Sequence, residues 1–315
     1  MRAIVLEETG PPERLTLRDL SEPDPPPGHT RVRVRAAAVN FMDVLVRQGR
    51  YPQPPPLPWV PGAEVAGETE DGRRVVGLLG PAGGGYAEVA AVEDGWLFEL
   101  PPGAGFEEGA GFLLAFLTAW LPLTRQAAVR PGSRVLVTAA AGGVGSAAVQ
   151  TARLLGADVV ALASAEEKLE LPRSLGAAET ATYERLDELD PVDVVFDPVG
   201  GELLGRALRL LRPLGAAVAV GFAGGAWPPV DPALLVGRNV GLHGIYVGRL
   251  LRLRPEIVRA AAGDLLRLWG AGDLRPVSGP AFPLADAAAA HRLVEERRST
   301  GRVVLVVGDR VTPAA

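Results

Sequence analysis

The chain has 315 residues, 48% of them apolar, a formal net charge of −5 and no cysteine, so it is long and apolar enough to bury two cores. The missing cysteines exclude disulfides, thiolate nucleophiles and zinc sites with thiolate ligands, and three scattered histidines, His29, His243 and His291, cannot supply a His-rich metal cage. No basic run interleaves with aromatics and no apolar run reaches the ~18 residues of a membrane span, which argues against nucleic-acid and membrane partners.

From the N-terminus to about residue 100, short strand-like segments alternate with Gly and Pro: RAIVLEE, TRVRVRAAAV, EVAGETE, RRVVGLL and YAEVAAV. This spacing predicts an all-β, barrel-like domain. Residues 106–128, FEEGAGFLLAFLTAWLPLTRQAA, read as a longer apolar helical stretch bridging into a second domain. From Arg134 strands alternate with helices: RVLVTA, a helix from Gly145 to Leu155, DVVALA, a helix from Glu166 to Leu175, VDVVFD, ELLGRALRLL and AAVAVGF. Continuous apolar strands separated by amphipathic helices predict an α/β, doubly wound parallel sheet buried on both faces. NVGLHGIYVG (239–248) is expected as its sixth, edge strand. A helix follows over Pro255 to Gly270, and the tail adds a helix and a strand that could return to the first domain.

The segment Ala140-Ala141-Gly142-Gly143-Val144-Gly145 matches A-x-G-x-x-G, after a strand and opening a helix. In the dinucleotide fingerprint, Gly142 lets the backbone approach a pyrophosphate, Gly145 lets helix and strand pack closely, and the helix N-terminus faces the phosphates. An NAD-selective site places a carboxylate at the end of the second strand; here that strand ends in Ala163-Ser164. Four residues on stands Lys168, the only lysine in the chain. It reads either as a contact to a 2′-phosphate or as a solvated residue paired with Glu166 or Glu167.

Seven segments together resemble the zinc-free quinone oxidoreductases, the zeta-crystallin-like branch of the medium-chain dehydrogenase/reductase superfamily: AAAVNFMDVLVRQGRYP (36–52), PGAEVAG (61–67), GGGYAEVAAV (83–92), FLLAFLTAW (112–120), AAAGGVG (139–145), FDPVGG (196–201) and EERRSTGRVVL (295–305). The resemblance implies a Rossmann doubly wound domain joined to a GroES-like β-barrel catalytic domain. The expected bounds are 1–118 and 257–315 for the catalytic domain and 119–256 for the cofactor domain. At the positions matching the catalytic zinc ligands of the alcohol dehydrogenases stand Asn40 and Ala63, with Glu64 following, so the resemblance implies zinc-independent chemistry.

The resemblance also implies Asn40 and Thr118 near a nicotinamide, Gly143 and Val144 at the pyrophosphate, and Lys168, Tyr183 and Arg297 around the 2′-phosphate of NADPH. Ala140, Gly142, Gly145, Ser164, Val199 and Phe222 complete the candidate cofactor contacts, and Asn40, Thr118 and Tyr51 are the candidates at the reaction centre. No general acid stands out. Asp43 reads as lining the same cleft as Asn40 or as a helix cap, Tyr51 as stacking on a flat acceptor or packing among prolines, and His243 and His291 as core histidines. The expected activity is hydride transfer from NADPH to a quinone, with an enone or enoyl thioester reductase and a cofactor-binding structural or sensing protein as alternatives. The same reading expects a cytoplasmic homodimer pairing through 239–248. Arg at nearly every basic position, many Pro and few Asn, Gln and Met point to heat adaptation.

Overall fold

The structure is a computed structural model describing residues 1–227 and 229–308; Pro228 and the last seven residues of the segment assigned above to 257–315 lie outside the described residues. The chain divides into two compact units, Met1–Leu114 together with the chain from Leu251 onward, and Ala115–Leu250.

The first unit opens with strands β1 (Arg2–Leu6), β2 (Leu15–Asp19) and β3 (His29–Ala38), helix α1 (Phe41–Arg47), strands β4 (Glu64–Thr69), β5 (Arg74–Leu78), β6 (Val89–Glu93) and β7 (Leu97–Glu99), and helix α2 (Phe106–Ala110). In β3 the buried Val32 and Val34 alternate with the exposed Arg33 and Arg35, the period of two that a half-buried strand requires. This strand is the hub of the unit. Its first half pairs with β6, its middle with β4, and its last residues with a strand from the far end of the chain.

Helix α3 (Leu113–Arg125) leads into the second unit, whose elements are β8 (Arg134–Val137), α4 (Gly143–Leu154), β9 (Asp158–Ala163), α5 (Glu170–Ser174), β10 (Glu179–Thr182), β11 (Val192–Asp197), α6 (Gly201–Leu208), β12 (Leu211–Ala219), α7 (Pro232–Arg238), β13 (Gly241–Gly244) and α8 (Val247–Leu253). All six strands are parallel, in the order β10-β9-β8-β11-β12-β13, and β8, β9 and β11 are buried along nearly their whole length. This is the expected doubly wound sheet, with its topological switch point between β8 and β11.

The chain then returns through α9 (Pro255–Gly270), β14 (Ser278–Pro283), α10 (Ala287–Glu295) and β15 (Arg302–Val306). Strand β15 runs antiparallel to β3, with Val304 opposite Ala38, and so completes the β unit from the opposite end of the sequence. None of the helices among the described residues is long and apolar enough to cross a membrane.

Several elements differ from the sequence expectation for identifiable reasons. The apolar stretch 106–128 is two helices, α2 and α3, divided around Gly111. The helix expected from Glu166 begins only at Glu170, because Pro172 can sit in a first turn but has no N–H to continue a helix around it. Before it, Glu166–Lys168 form a single 3-10 turn. The sixth strand is confined to Gly241–Gly244, and Val247 already begins α8.

Candidate active site

In the second unit, the candidates collect where parallel strands end. Between β8 and α4 the chain turns through Ala139, at φ 47°, and the turn closes with Gly142 N–H to Ala139 O at 2.9 Å and Ala140 N–H to Leu162 O at 2.9 Å. The left-handed residue is thus Ala139, not Ala140, and an alanine is tolerated where the fingerprint has its first glycine. Gly145 has no such freedom: a Cβ there would stand 2.0 Å from Ala139 O. Only glycine lets α4 start this close to the strand.

Beside this turn, Asp197 ends β11 fully buried. Its carboxylate accepts from the Thr138 hydroxyl, from Gly200 N–H at 2.6 Å and from Val199 N–H at 3.3 Å, tying the β8 turn to the FDPVGG turn. Burial raises its pKa against these bonds. The segment after β12 is fastened to the same place, with Gly224 N–H to Val199 O at 2.6 Å and Gly201 N–H to Ala226 O at 3.0 Å. Phe222 there lies against Trp227, ring centroids 5.0 Å apart. Val199 and Phe222 are therefore brought to the strand ends with Ala140 and the glycines.

At the second strand end, Ser164 follows β9 and is exposed, and Tyr183 follows β10, half-buried. The register pairs Ala163 with Thr182, so Ser164 and Tyr183 leave neighbouring strands side by side. Lys168 closes the 3-10 turn beyond Ser164, half-buried, and Glu166 of that turn is held by Arg173 at 3.0 Å. No carboxylate stands at the β9 end itself. Thr118 lies half-buried on α3 in this unit.

The other candidates belong to the first unit. Tyr51 is half-buried against the β core, beyond α1. Arg297 is exposed just after α10, at φ 57°. Asn40 caps α1 and is the front of a buried polar network that sequence reasoning did not foresee. Its N–H donates to Asp43 Oδ2 at 2.9 Å, and its Oδ1 accepts from Arg302 Nη2 at 2.9 Å. The same Nη2 lies 3.5 Å from Glu64 Oε2, and Glu64 Oε1 accepts from Leu114 N–H at 2.9 Å. Asp43 also accepts from Gly62 N–H and from the Tyr86 hydroxyl, each at 3.3 Å, and Tyr86 Oη is 3.2 Å from His291 Nε2. The cap reading of Asp43 and the core reading of His291 both hold.

Burial sets the electrostatics of this network. It pushes the Asp43 carboxyl up to about 6 despite three hydrogen bonds. It pushes Glu64 up to about 7, opposed mainly by the Arg302 charge. Burial, with the Arg47 charge, pushes His291 down to about 3. Arg47 is itself buried and pairs with Glu295 at 2.5 Å. The signals for the missed residues were faint: Arg302 opens an apolar strand, and Glu64 and Asp197 stand at the ends of strands that each carry a second acid, Glu68 and Asp193. Among the described residues, no group of three or more His, Asp or Glu side chains could hold a metal ion.

A doubly wound sheet carrying a glycine-rich phosphate turn, joined to a β unit that holds a buried polar network, defines a two-domain, dinucleotide-dependent oxidoreductase. The family models agree: an alcohol dehydrogenase GroES-like domain matches residues 26–102, and a zinc-binding dehydrogenase domain matches residues 143–263. A quinone oxidoreductase of Pseudomonas aeruginosa is 35% identical, over 94% of this chain and 97% of its own length. The crystal structures of the quinone oxidoreductase from Thermus thermophilus, one of them a complex with NADPH, share 44% identity and a TM-score of 0.89 over 97% of this chain and 100% of that one. The Escherichia coli quinone oxidoreductase complexed with NADPH gives 29% identity and the same TM-score, over 97% and 100%. The chain belongs to the quinone oxidoreductases of the medium-chain dehydrogenase/reductase superfamily, the family that its sequence segments resemble.

The buried histidine makes a stability prediction. With its pKa held below the usual 6.5, neutral His291 lets the folded chain bind fewer protons than the unfolded one, so its contribution is present above 6.5 and lost as pH falls toward about 3. Asp43 and Glu64, both raised, act in the opposite sense, and a comparison of two variants cancels them. His291→Phe, which fills the same space without titrating, is therefore expected to differ from wild type in melting temperature by an amount that moves in the variant's favour between about pH 7 and about pH 4. A pH-independent difference would contradict this.

Proposed function

We propose that the protein is an NADPH-dependent, metal-independent reductase of quinones or similarly electrophilic conjugated carbonyls. The observation that carries this reading is the end of β9: Ser164 without a carboxylate, Lys168 half-buried beside it and Tyr183 on the neighbouring strand end. A carboxylate there would repel a 2′-phosphate, whereas a hydroxyl, a phenol and an ammonium are its natural partners. Gly145 packs α4 directly on the Ala139 carbonyl, which sets the helix N-terminus at the end of β8, where its N–H groups suit a pyrophosphate. The related enzymes of Thermus thermophilus and Escherichia coli are described with NADPH, which supports the same assignment.

NADPH, when bound, supplies a hydride. Gly142, Gly143, Val144 and Gly145 would hold its pyrophosphate, with Ala140, Val199 and Phe222 around them; Ser164, Lys168 and Tyr183 would take the 2′-phosphate. Thr118 and Asn40 would orient the reacting ring, and Tyr51 is the candidate to stack on a flat acceptor. Where the alcohol dehydrogenases use metal-ligating side chains, this chain has Asn40 and Ala63, and neither suits zinc. An acceptor reduced without a Lewis acid must already be electrophilic, as quinones and conjugated carbonyls are. Hydride transfer leaves an oxyanion that solvent protonates, so orientation carries most of the catalysis. Steady-state oxidation of NADPH with 1,4-benzoquinone and 9,10-phenanthrenequinone tests this, and is expected to survive exhaustive EDTA dialysis. Tight NADPH binding with no turnover across quinones and enones would overturn it.

Selectivity has its own measurement. Lys168→Ala is expected to weaken NADPH binding by roughly ten- to a hundredfold, the worth of about 1.5–3 kcal/mol for one charged contact, and to leave NADH binding unchanged. Equal weakening of both cofactors would show that the lysine does not read the 2′-phosphate.

The reading extends to assembly. Strand β13 ends the six-stranded sheet and among the described residues pairs only with β12, and it has neither proline nor a charged side chain to blunt its free edge. Val236, 77% exposed, lies on α7 just before it. A two-fold axis along this edge would join two sheets into an isologous dimer. Sedimentation at micromolar concentration is expected to return twice the chain mass; a monomer would rule the dimer out.

A further inference from the structure

Asn40 Nδ2 is buried and has no hydrogen-bond partner among the described residues, although the residue is only 7% exposed. A buried donor left unpaired costs on the order of 1–3 kcal/mol; Arg302 Nε and His291 Nδ1 of the same network are also without a partner, but Asn40 Nδ2 belongs to the residue at the expected reaction centre. Every other polar atom of Asn40 is committed. The backbone N–H is fixed on Asp43 and Oδ1 faces Arg302 Nη2. A guanidinium has five donors and no acceptor, so this contact can be made only by the amide oxygen, and the NH2 group must point the other way. The amide cannot flip without setting donor against donor.

Arg302 is in turn held. Its charge pairs with Glu64, which is fully buried and anchored on Leu114 N–H. Its backbone opens β15, whose pairing with β3 puts Val303 O on Val39 N–H at 2.9 Å, next to Asn40 in the chain. A side chain at Gly111 would press on it, since a Cβ there would lie 3.1 Å from Arg302 Cβ. Nothing in the phosphate turn requires this arrangement.

We propose that Arg302 is a positioning residue which, by taking up Asn40 Oδ1, commits Asn40 Nδ2–H to donate a hydrogen bond to the carbonyl oxygen of the acceptor. This rests on the reading of the protein as a reductase of quinones or conjugated carbonyls. The hydride brings its electron pair from NADPH to the conjugated acceptor, the cofactor leaves as NADP⁺, and the negative charge appears on the acceptor's oxygen. Asn40 Nδ2–H donates to that oxygen and keeps its proton; solvent supplies the proton that completes the reduction. The fixed guanidinium behind the amide adds a positive charge on the far side of the donor. The amide thereby stabilises the oxyanion with a fixed dipole, oriented before the charge develops.

Asn40→Asp tests the donor with almost no change in shape: the new carboxylate still accepts from Arg302 but has nothing to donate. Three quantities are read: NADPH affinity, kcat with whichever quinone or enone the wild type reduces, and the visible absorbance of 4-nitrophenol, a flat mimic of a hydroquinone, bound in the presence of NADP⁺. The wild type is expected to shift the bound phenol toward its coloured phenolate. In Asn40→Asp that shift should vanish and kcat should fall roughly a hundred- to a thousandfold, the usual effect of removing one oxyanion donor, a loss in kcat that exceeds any loss in NADPH affinity. Arg302→Met should act in the same direction, and Arg302→Lys, which can still donate to Oδ1, should recover part of both signals. If Arg302→Met does not fold, Asn40→Asp and Arg302→Lys decide the matter between them. An active wild type whose kcat and phenolate shift are both unaltered in Asn40→Asp overturns this inference alone; a wild type that reduces neither quinones nor enones overturns the functional reading with it.

Discussion

Burying a carboxylate in a protein interior is tolerable only when every lone pair finds a donor, and that constraint organises both units of this molecule. Asp43, Glu64 and Asp197 are all fully buried, and each collects partners from separate parts of the chain. Asp197 binds Thr138 and the Val199 and Gly200 amides, and so sets the distance between the ends of β8 and β11, where the sheet's switch point lies. Asp43 binds two backbone amides and a phenol, and so fixes the start of α1 against the PGAEVAG turn. Glu64 holds Leu114 and Arg302. Remove these acids and the loops they bind lose their common anchor, while the hydrophobic strands behind them remain.

The network around Asn40 gives a physical account of how one fold can serve two chemistries. A metal ion polarises an oxygen through its charge and asks for ligands of fixed type. At the corresponding positions this chain has an amide and a methyl, and a guanidinium lies behind the amide. In the role proposed above, the charge a metal would bring is replaced by a permanent, covalently attached one behind a hydrogen-bond donor. Such a site is weaker than a Lewis acid. That matches an acceptor that is electrophilic before it binds.

The cofactor unit was the more legible half. Apolar runs of strand length, separated by amphipathic stretches, announce a parallel sheet because both faces of each strand must be covered. Its six strands take the doubly wound order, and the phosphate turn follows the first of them, beside the switch point. The details that escaped were those that depend on a single backbone angle, such as Ala139 adopting the left-handed turn while Ala140 does not. The β unit was legible as strands but not as contacts. Alternation in β3 is visible in HTRVRVRAAA, yet nothing local says that its end will pair with residues from the last segment of the chain.

Residue order alone was enough to place most strands of both units, to say that the second unit is a doubly wound sheet and where its glycine turn lies, and that no cysteine is available for a metal. These are properties of neighbours along the chain, set by periods of two and 3.6 residues and by the φ and ψ that Gly and Pro allow. Only folding in three dimensions brings Arg302 to Asn40, 262 residues away, and to Glu64, 238 residues away. That meeting depends on the register of β15 on β3, because a slip of one residue would turn Arg302 to the opposite face of the sheet. No local pattern encodes such a register. It is fixed only when the hydrophobic faces of strands from both ends of the chain are packed into one core, and the polar groups are left where that packing puts them.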